Sequence, residues 1–162
     1  MKVAVVMGSL SDMNKVEPMI EVLKNYEVDV LVKCLSAHRA HDKLVEFVRE
    51  AENYEVEVII AAAGMAAALP GVIAALTTLP VIGVPISGKN LDGIDALLSI
   101  VQMPSGIPVA TVAIDGAKNA AYLALEILGI KYLKIKEKLI SERRKMEREA
   151  LKANEELQKK YR

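Results

Sequence analysis

The chain has 162 residues, and its 21 Lys+Arg balance its 21 Asp+Glu, so the formal net charge is zero. That length suits one domain with a full core, and that balance gives no general pull toward nucleic acid or an anionic membrane. Hydrophobic residues make up 52% but aromatics only 4%, so the core has to be built from Ala, Val, Ile and Leu.

Lys2-Val3-Ala4-Val5-Val6-Met7-Gly8 reads as a first buried strand. Ser9-Leu10-Ser11-Asp12 follows, then a helix to about Tyr26, with Ser11 or Asp12 as its N-cap. A second apolar, β-branched run from Val28 to Leu35 reads as another buried strand, with a helix from about Ala40 to Asn53 after it. Cys34, the single cysteine, lies in that second strand. It has no partner for an internal disulfide and is expected to be a small buried apolar group. Glu57 to Ala62 is a third strand, Pro70 to Thr77 a helix with proline in its first turn, and Pro80 to Pro85 a short fourth strand. A polar loop covers Ser87 to Leu91, a helix Asp92 to Val101, and a turn Met103 to Gly106. Val109 to Ile114 is the fifth strand and Ala117 to Leu128 the fifth helix.

The chain opens directly into a strand, without the charged head and apolar span of a leader. Gly64, Pro70 and Gly71 interrupt the longest apolar stretch, Val58 to Leu76, which argues against a membrane span. The expectation is a soluble, cytoplasmic protein.

Strands alternate with helices, and several strands are apolar on both faces. That pattern calls for a parallel sheet covered on both sides. Right-handed crossovers and short loops favour an α/β, flavodoxin-like three-layer sandwich with a long C-terminal helix. The domain is expected to span residues 1–132. Residues 133–162 differ in kind: they are rich in Lys, Glu and Arg, and Leu139, Met146, Ala150, Ala153 and Leu157 form a narrow apolar stripe. A helix of that length cannot bury its stripe on a domain already complete, so it is expected to pack on a neighbouring subunit.

The chemistry concentrates where strands are expected to end. In an open parallel sheet, ligands sit at the carboxyl ends of the strands. Ser36-Ala37-His38-Arg39 lies at one such end. An arginine there suits a phosphate or carboxylate, and a histidine can move a proton near neutral pH. A capped, solvated turn also accounts for that stretch by itself. Gly8-Ser9-Leu10-Ser11-Asp12 lies at another end, where two hydroxyls and free helix amides form an anion site or, equally, an ordinary cap. If the first two strands are neighbours, Ser9, Ser11 and Arg39 converge on one anion with His38 beside it. The small residues from Gly64 to Gly71 let a flat ring lie against backbone, or simply allow tight helix-sheet packing. Gly88 to Gly93 and Gln102 to Gly106 are further candidates for pocket walls or subunit contacts. His41 is expected at the surface, and two histidines without a third ligand do not make a metal site.

Three nucleotide or phosphate chemistries fit poorly. A dinucleotide fold needs Gly-x-Gly-x-x-Gly after its first strand, and residues 8–13 read Gly-Ser-Leu-Ser-Asp-Met. A flavin site usually wants flanking aromatics, whereas the chain has no Trp and one Phe. A phospho-receiver needs an acceptor Asp ending the third strand, where Ala61-Ala62-Ala63 stands.

Several stretches, in order, resemble the PurE family. They are Met7 to Asp12, Ser36 to Arg39, Ala66-Ala67 with Leu69-Pro70-Gly71, Pro80 to Pro85, Leu97 to Pro104, Gly106 to Ile114, and Asn119-Ala120. The resemblance covers roughly residues 2 to 132. It implies a cofactor-free mutase of purine synthesis that moves a carboxylate from the exocyclic nitrogen to ring carbon 4 of an aminoimidazole ribonucleotide. The implied route is decarboxylation, trapping of carbon dioxide, and attack by the ring carbon. It makes His38 the catalytic proton shuttle and gives Ser9, Ser11, Asp12 and Arg39 the phosphate and ribose. Ser36, Ala37, Gly64, Ala66 and Leu69 are counted with them as substrate-binding. It also implies a homo-octamer with sites shared between subunits.

The family usually reads Gly-Ala-Gly-Gly-Ala-Ala-His-Leu-Pro-Gly where this chain reads Ala62-Ala63-Gly64-Met65-Ala66-Ala67-Ala68-Leu69-Pro70-Gly71. Ala68 therefore stands where a pocket histidine is usual. Together with the charged tail, that alanine-rich centre also suits a rival reading: an oligomeric scaffold of the same fold with impaired catalysis.

Overall fold

The structure, a computed structural model, describes residues 1–161. Arg162, the last residue of the expected C-terminal unit, lies outside the described residues. The strands are β1 (Lys2–Met7), β2 (Asp29–Cys34), β3 (Val58–Gly64), β4 (Val81–Ile86) and β5 (Ala110–Thr111). The helices are α1 (Met13–Asn25), α2 (His41–Glu50), α3 (Leu69–Ala74), α4 (Ile94–Val101), α5 (Ala117–Lys131) and α6 (Leu133–Lys160), with a 3-10 turn at Leu10–Asp12. The sheet is parallel throughout, in the order β2-β1-β3-β4-β5. This is the flavodoxin-like order, and it places the first two strands side by side.

Successive strand residues face opposite sides of a sheet, so each apolar strand feeds two cores. Val3, Val5, Met7, Val58, Ile60 and Ala62 pack under α1 and α5. Ala4, Val6, Ile59, Ala61 and Ala63 pack with residues of α2, α3 and α4. Small residues let the layers close. Ala117, Ala120, Ala121 and Ala124 form the buried stripe of α5. At Gly83 of β4 a Cβ would come within 2.4 Å of the Ile100 side chain, so α4 seats directly on bare backbone.

Four expectations are corrected. The second strand is not buried: it is an edge strand whose cover fades from Val28 (4% exposed) to Val32 (40%). Cys34 at its end is exposed rather than a buried apolar group. The fifth strand shrinks from Val109–Ile114 to two residues. β4 explains this: Val112 N–H still donates to Gly83 O, but Pro85 has no N–H to continue the ladder. Its carbonyl instead accepts from Asp115 N–H. Finally, neither Ser11 nor Asp12 caps α1 through its side chain. Ser9 caps the preceding 3-10 turn, accepting from Ser11 N–H, while Asp12 stands at the start of α1 without a capping bond.

The tail is one helix, α6, and its near end belongs to the domain. Ile135 and Leu139 are buried in the α1–α5 core, so Leu139, the first residue of the expected stripe, is already covered. Met146 and Leu157 remain exposed. No helix is long and apolar enough to cross a membrane among the described residues.

Candidate active site

The parallel register brings the carboxyl ends of four strands together. Met7 lies beside Cys34 on one side and Ala62 on the other, and Gly64 lies beside Ile86. The loops that leave these ends surround a cavity of about 530 Å³. Ser9, Ser11, Asp12, Ser36, Ala37, His38, Arg39, Gly64, Ala66 and Leu69 all line it. The sequence expected these residues to share a site, and the fold brings all ten to one hollow. A larger hollow of about 900 Å³ opens at the amino ends of β4 and β5, among Ala74–Ile82 and Gly106–Pro108, and contains none of them.

The first wall comes from β1. Gly8 N–H donates to Ala62 O, which turns the chain out of the sheet. A Cβ on Gly8 would touch nothing within 4 Å, so its backbone faces open space at the cavity. Ser9 and Ser11 share a hydroxyl contact of 2.8 Å, and Ser11 Oγ donates to Asp12 Oδ1 at 3.3 Å. Because Asp12 makes no cap, most of its acceptor capacity is free.

The second wall comes from β2. Leu35 N–H donates to Met7 O, and Ala40 N–H to Ser36 O, closing a turn that carries Ala37, His38 and Arg39. Arg39 crosses to the first wall: its Nη2 donates to Gly8 O and its Nε to Ser36 Oγ, both at 3.4 Å. These are long contacts for a guanidinium, which has five donors in a fixed fork. The fork is placed between the two loops with most of its donors unspent. His38 is exposed at the same rim. Asp12, His38 and Arg39 are the ionisable side chains of the lining, so one anion-binding group, one carboxylate and one proton carrier share it.

The third wall is the turn after β3. Met65 holds a left-handed backbone (φ 57°), and Ala67 and Ala68 N–H donate to the carbonyls of Met65 and Ala66. Apart from the Met65 side chain, which is 70% exposed, the tight turn offers the cavity backbone and methyl groups. A Cβ at Gly64 would lie 3.1 Å from Ile86 O, so glycine there allows β3 and β4 to end in register.

A fourth wall, Ile86, Ser87 and Gly88, completes the lining. Gly88 was already a candidate as pocket wall, but Ile86, Ser87 and Ala63 were not. They stand out only once β4 is seen beside β3. His41 stays out of the cavity and lines a separate surface hollow with Asp42 and Glu46, as expected of a surface residue.

Such a cavity can grip a phosphate, accept hydrogen bonds from hydroxyls on a carboxylate, and exchange a proton with a flat polar ring. Comparison with known proteins points the same way. A family model described as AIR carboxylase matches residues 2–149. An N5-carboxyaminoimidazole ribonucleotide mutase of Pyrococcus abyssi is 61% identical over 147 residues, covering 91% of this chain and 84% of that protein. One of Thermotoga maritima is 48% identical over 157 residues, covering 97% and 92%. The crystal structure of Treponema denticola PurE superposes with a TM-score of 0.89 at 28% identity, covering 96% of this chain and 98% of that one. With a family match across nearly its whole length and relatives this similar, the chain belongs to the AIR carboxylase family, PurE.

Proposed function

We propose that this chain interconverts N5-carboxyaminoimidazole ribonucleotide and 4-carboxyaminoimidazole ribonucleotide, with His38 as its proton shuttle. The observation that carries the reading is the meeting of Arg39, the Ser9–Asp12 turn and His38 at one cavity. In this reading Arg39, Ser9 and Ser11 take the phosphate, and Asp12 accepts from ribose hydroxyls. Ser36, Ala37, Gly64, Ala66 and Leu69 shape the slot for the ring. His38 donates its proton to the exocyclic nitrogen as the N–CO2 bond breaks. The cavity holds the carbon dioxide while ring carbon 4 forms the new C–C bond. His38 then takes the proton from carbon 4, which restores the aromatic ring and the imidazolium. No net proton is consumed, and the chemistry calls for no cofactor.

The chain is further proposed to work in the cytoplasm as a homo-octamer, with the far half of α6 on a neighbouring subunit. Exposed apolar side chains support an assembly: Met146 and Leu157 on α6, and Leu91, Ile94, Leu98 and Val101 along and beside α4.

The test is an assay of carboxyl transfer with purified protein and no ATP. The wild-type chain turns over with Ala68 in place. His38→Asn lowers kcat by roughly 10²- to 10⁴-fold, the usual worth of a general acid–base group, with ribonucleotide affinity little changed. Activity that appears only in Ala68→His with Met65→Gly, and not in the parent, would overturn the reading in favour of an assembly-only protein.

A further inference from the structure

The fourth wall is held by a device outside the cavity. Ser87 begins the loop that leaves β4, and every polar group it owns is engaged. Its N–H donates to Asp115 Oδ1 at 2.9 Å and its hydroxyl to Asp115 Oδ2 at 2.5 Å. Lys15 Nζ donates to Ser87 O at 2.9 Å and to Ser87 Oγ, and pairs with Asp115 Oδ2 at 3.2 Å. Both donors of Ser87 are therefore spent within the protein, although it lines the cavity. Its contribution is its place.

The two charged residues come from different parts of the fold. Lys15 lies in the first turn of α1, three residues after Asp12 of the first wall. Asp115 ends the segment after β5 in a left-handed conformation (φ 55°), and its N–H is fixed to Pro85 O. Beyond Ser87, residues 88–92 are exposed, and the chain is next gripped at Gly93, where a Cβ would come within 2.7 Å of the Ile114 side chain. Burial alone would raise the Asp115 carboxyl, but the Ser87 hydroxyl and amide and the Lys15 ammonium hold it below the ordinary Asp range. The carboxylate and ammonium thus form one charged cluster tying α1 to the end of β4.

We propose that Lys15 and Asp115 are positioning residues that set the distance between the Ser9–Asp12 wall and the Ser87–Gly88 wall, and so the affinity of the cavity for its ribonucleotide. The proposal rests on the reading of that cavity given above. Neither residue touches the ligand. Each acts through Ser87, whose backbone is fixed on both its donor and its acceptor side. Small displacements of a wall matter, because a misplacement of about 1 Å outside the reacting groups is enough to cost up to about a hundredfold in a closely fitted site.

The test is calorimetric binding of 5-aminoimidazole ribonucleotide to the intact protein, which does not depend on turnover. Asp115→Asn and Lys15→Met each raise Kd about tenfold, the double variant is no weaker than either single, and Lys15→Arg stays within about threefold of wild type. A merely structural ion pair serves as the control: Glu57→Gln, at the opposite end of the sheet, lowers Tm without moving Kd. Wild-type binding with unchanged Kd in both single variants overturns the positioning role alone. A rise in Kd that comes only with loss of cooperative unfolding also overturns it. A wild-type chain that binds no ribonucleotide overturns the reading of the cavity itself, and the positioning role with it.

Discussion

At the scale of single residues, Arg39 shows how the site is left ready. Its two contacts are with Gly8 O and Ser36 Oγ, both at 3.4 Å. Contacts that long hold the side chain over the cavity without using up the fork. A phosphate can then take two parallel N–H donors, which a lysine cannot supply from one ammonium. Arg39→Lys is expected to raise KM for the ribonucleotide about tenfold while kcat stays within about threefold, because the lost bidentate bond serves ground and transition states alike. Steady-state kinetics on the two proteins reads that split. The residues of the site were legible because each sits in a short run at the end of an apolar strand: Ser9 to Asp12, Ser36 to Arg39, Gly64 to Leu69. The Lys15–Ser87–Asp115 cluster was not, since its members are 72 and 28 residues apart and no local pattern links them. The exposure of Cys34 is hidden from the sequence for a related reason. The apolarity of a strand says that some face is buried, but not whether the strand lies at the sheet's edge.

At the scale of elements, the central strands were plain from sequence and the marginal ones were not. β3 and β4 are almost wholly buried and read as continuous apolar runs. β5 has an equally apolar sequence, but its length is fixed by its neighbour, through the missing N–H of Pro85. The long last helix also has two characters that sequence periodicity does not separate. Its first turns bury Ile135 and Leu139, and Arg143 reaches back to Glu126 on α5. The two helices lie close at Gly129, where a Cβ would make an ordinary 3.5 Å contact with the Lys136 backbone. Ile135→Ala is expected to cost about 2–4 kcal/mol of unfolding free energy in a denaturant titration, since Ile135 is 1% exposed. The far half behaves differently under the proposed assembly. Eight chains of 17.6 kDa weigh about 141 kDa, and Met146→Glu with Leu157→Glu is expected to lower the mass seen by light scattering, because it places charge on the exposed apolar stripe.

At the scale of the whole molecule, the parallel sheet sorts its duties by end. The carboxyl ends carry the candidate site, braced by the Lys15–Asp115 pair, and the amino ends carry a second electrostatic tie. Glu57, just before β3, accepts from Lys131 Nζ at 2.9 Å and from the Tyr132 hydroxyl at 2.9 and 3.0 Å, and lies 3.8 Å from the N-terminal ammonium. It therefore joins the start of the chain to the junction of α5 and α6. Burial by itself would raise its carboxyl, but the Lys131 and Tyr132 hydrogen bonds and the nearby positive charges hold it below its ordinary 4.5. The folded chain thus keeps this carboxylate ionised to lower pH than the unfolded chain does. The stability it contributes is fully present above the ordinary Glu range and is lost as pH falls through the depressed folded value. Glu57→Gln is expected to lower Tm by roughly 2–4 °C near neutral pH, as the loss of one charged hydrogen-bond acceptor in a chain of this size would. That gap between wild type and variant should stay level from about pH 6 to 8 and close below about pH 4.5, where protonation makes the wild-type group neutral as well. A calorimetric pH series on both proteins measures it. A gap that widened in acid would mean that Glu57 is held neutral rather than ionised, and the tie would then be a hydrogen bond without its charge.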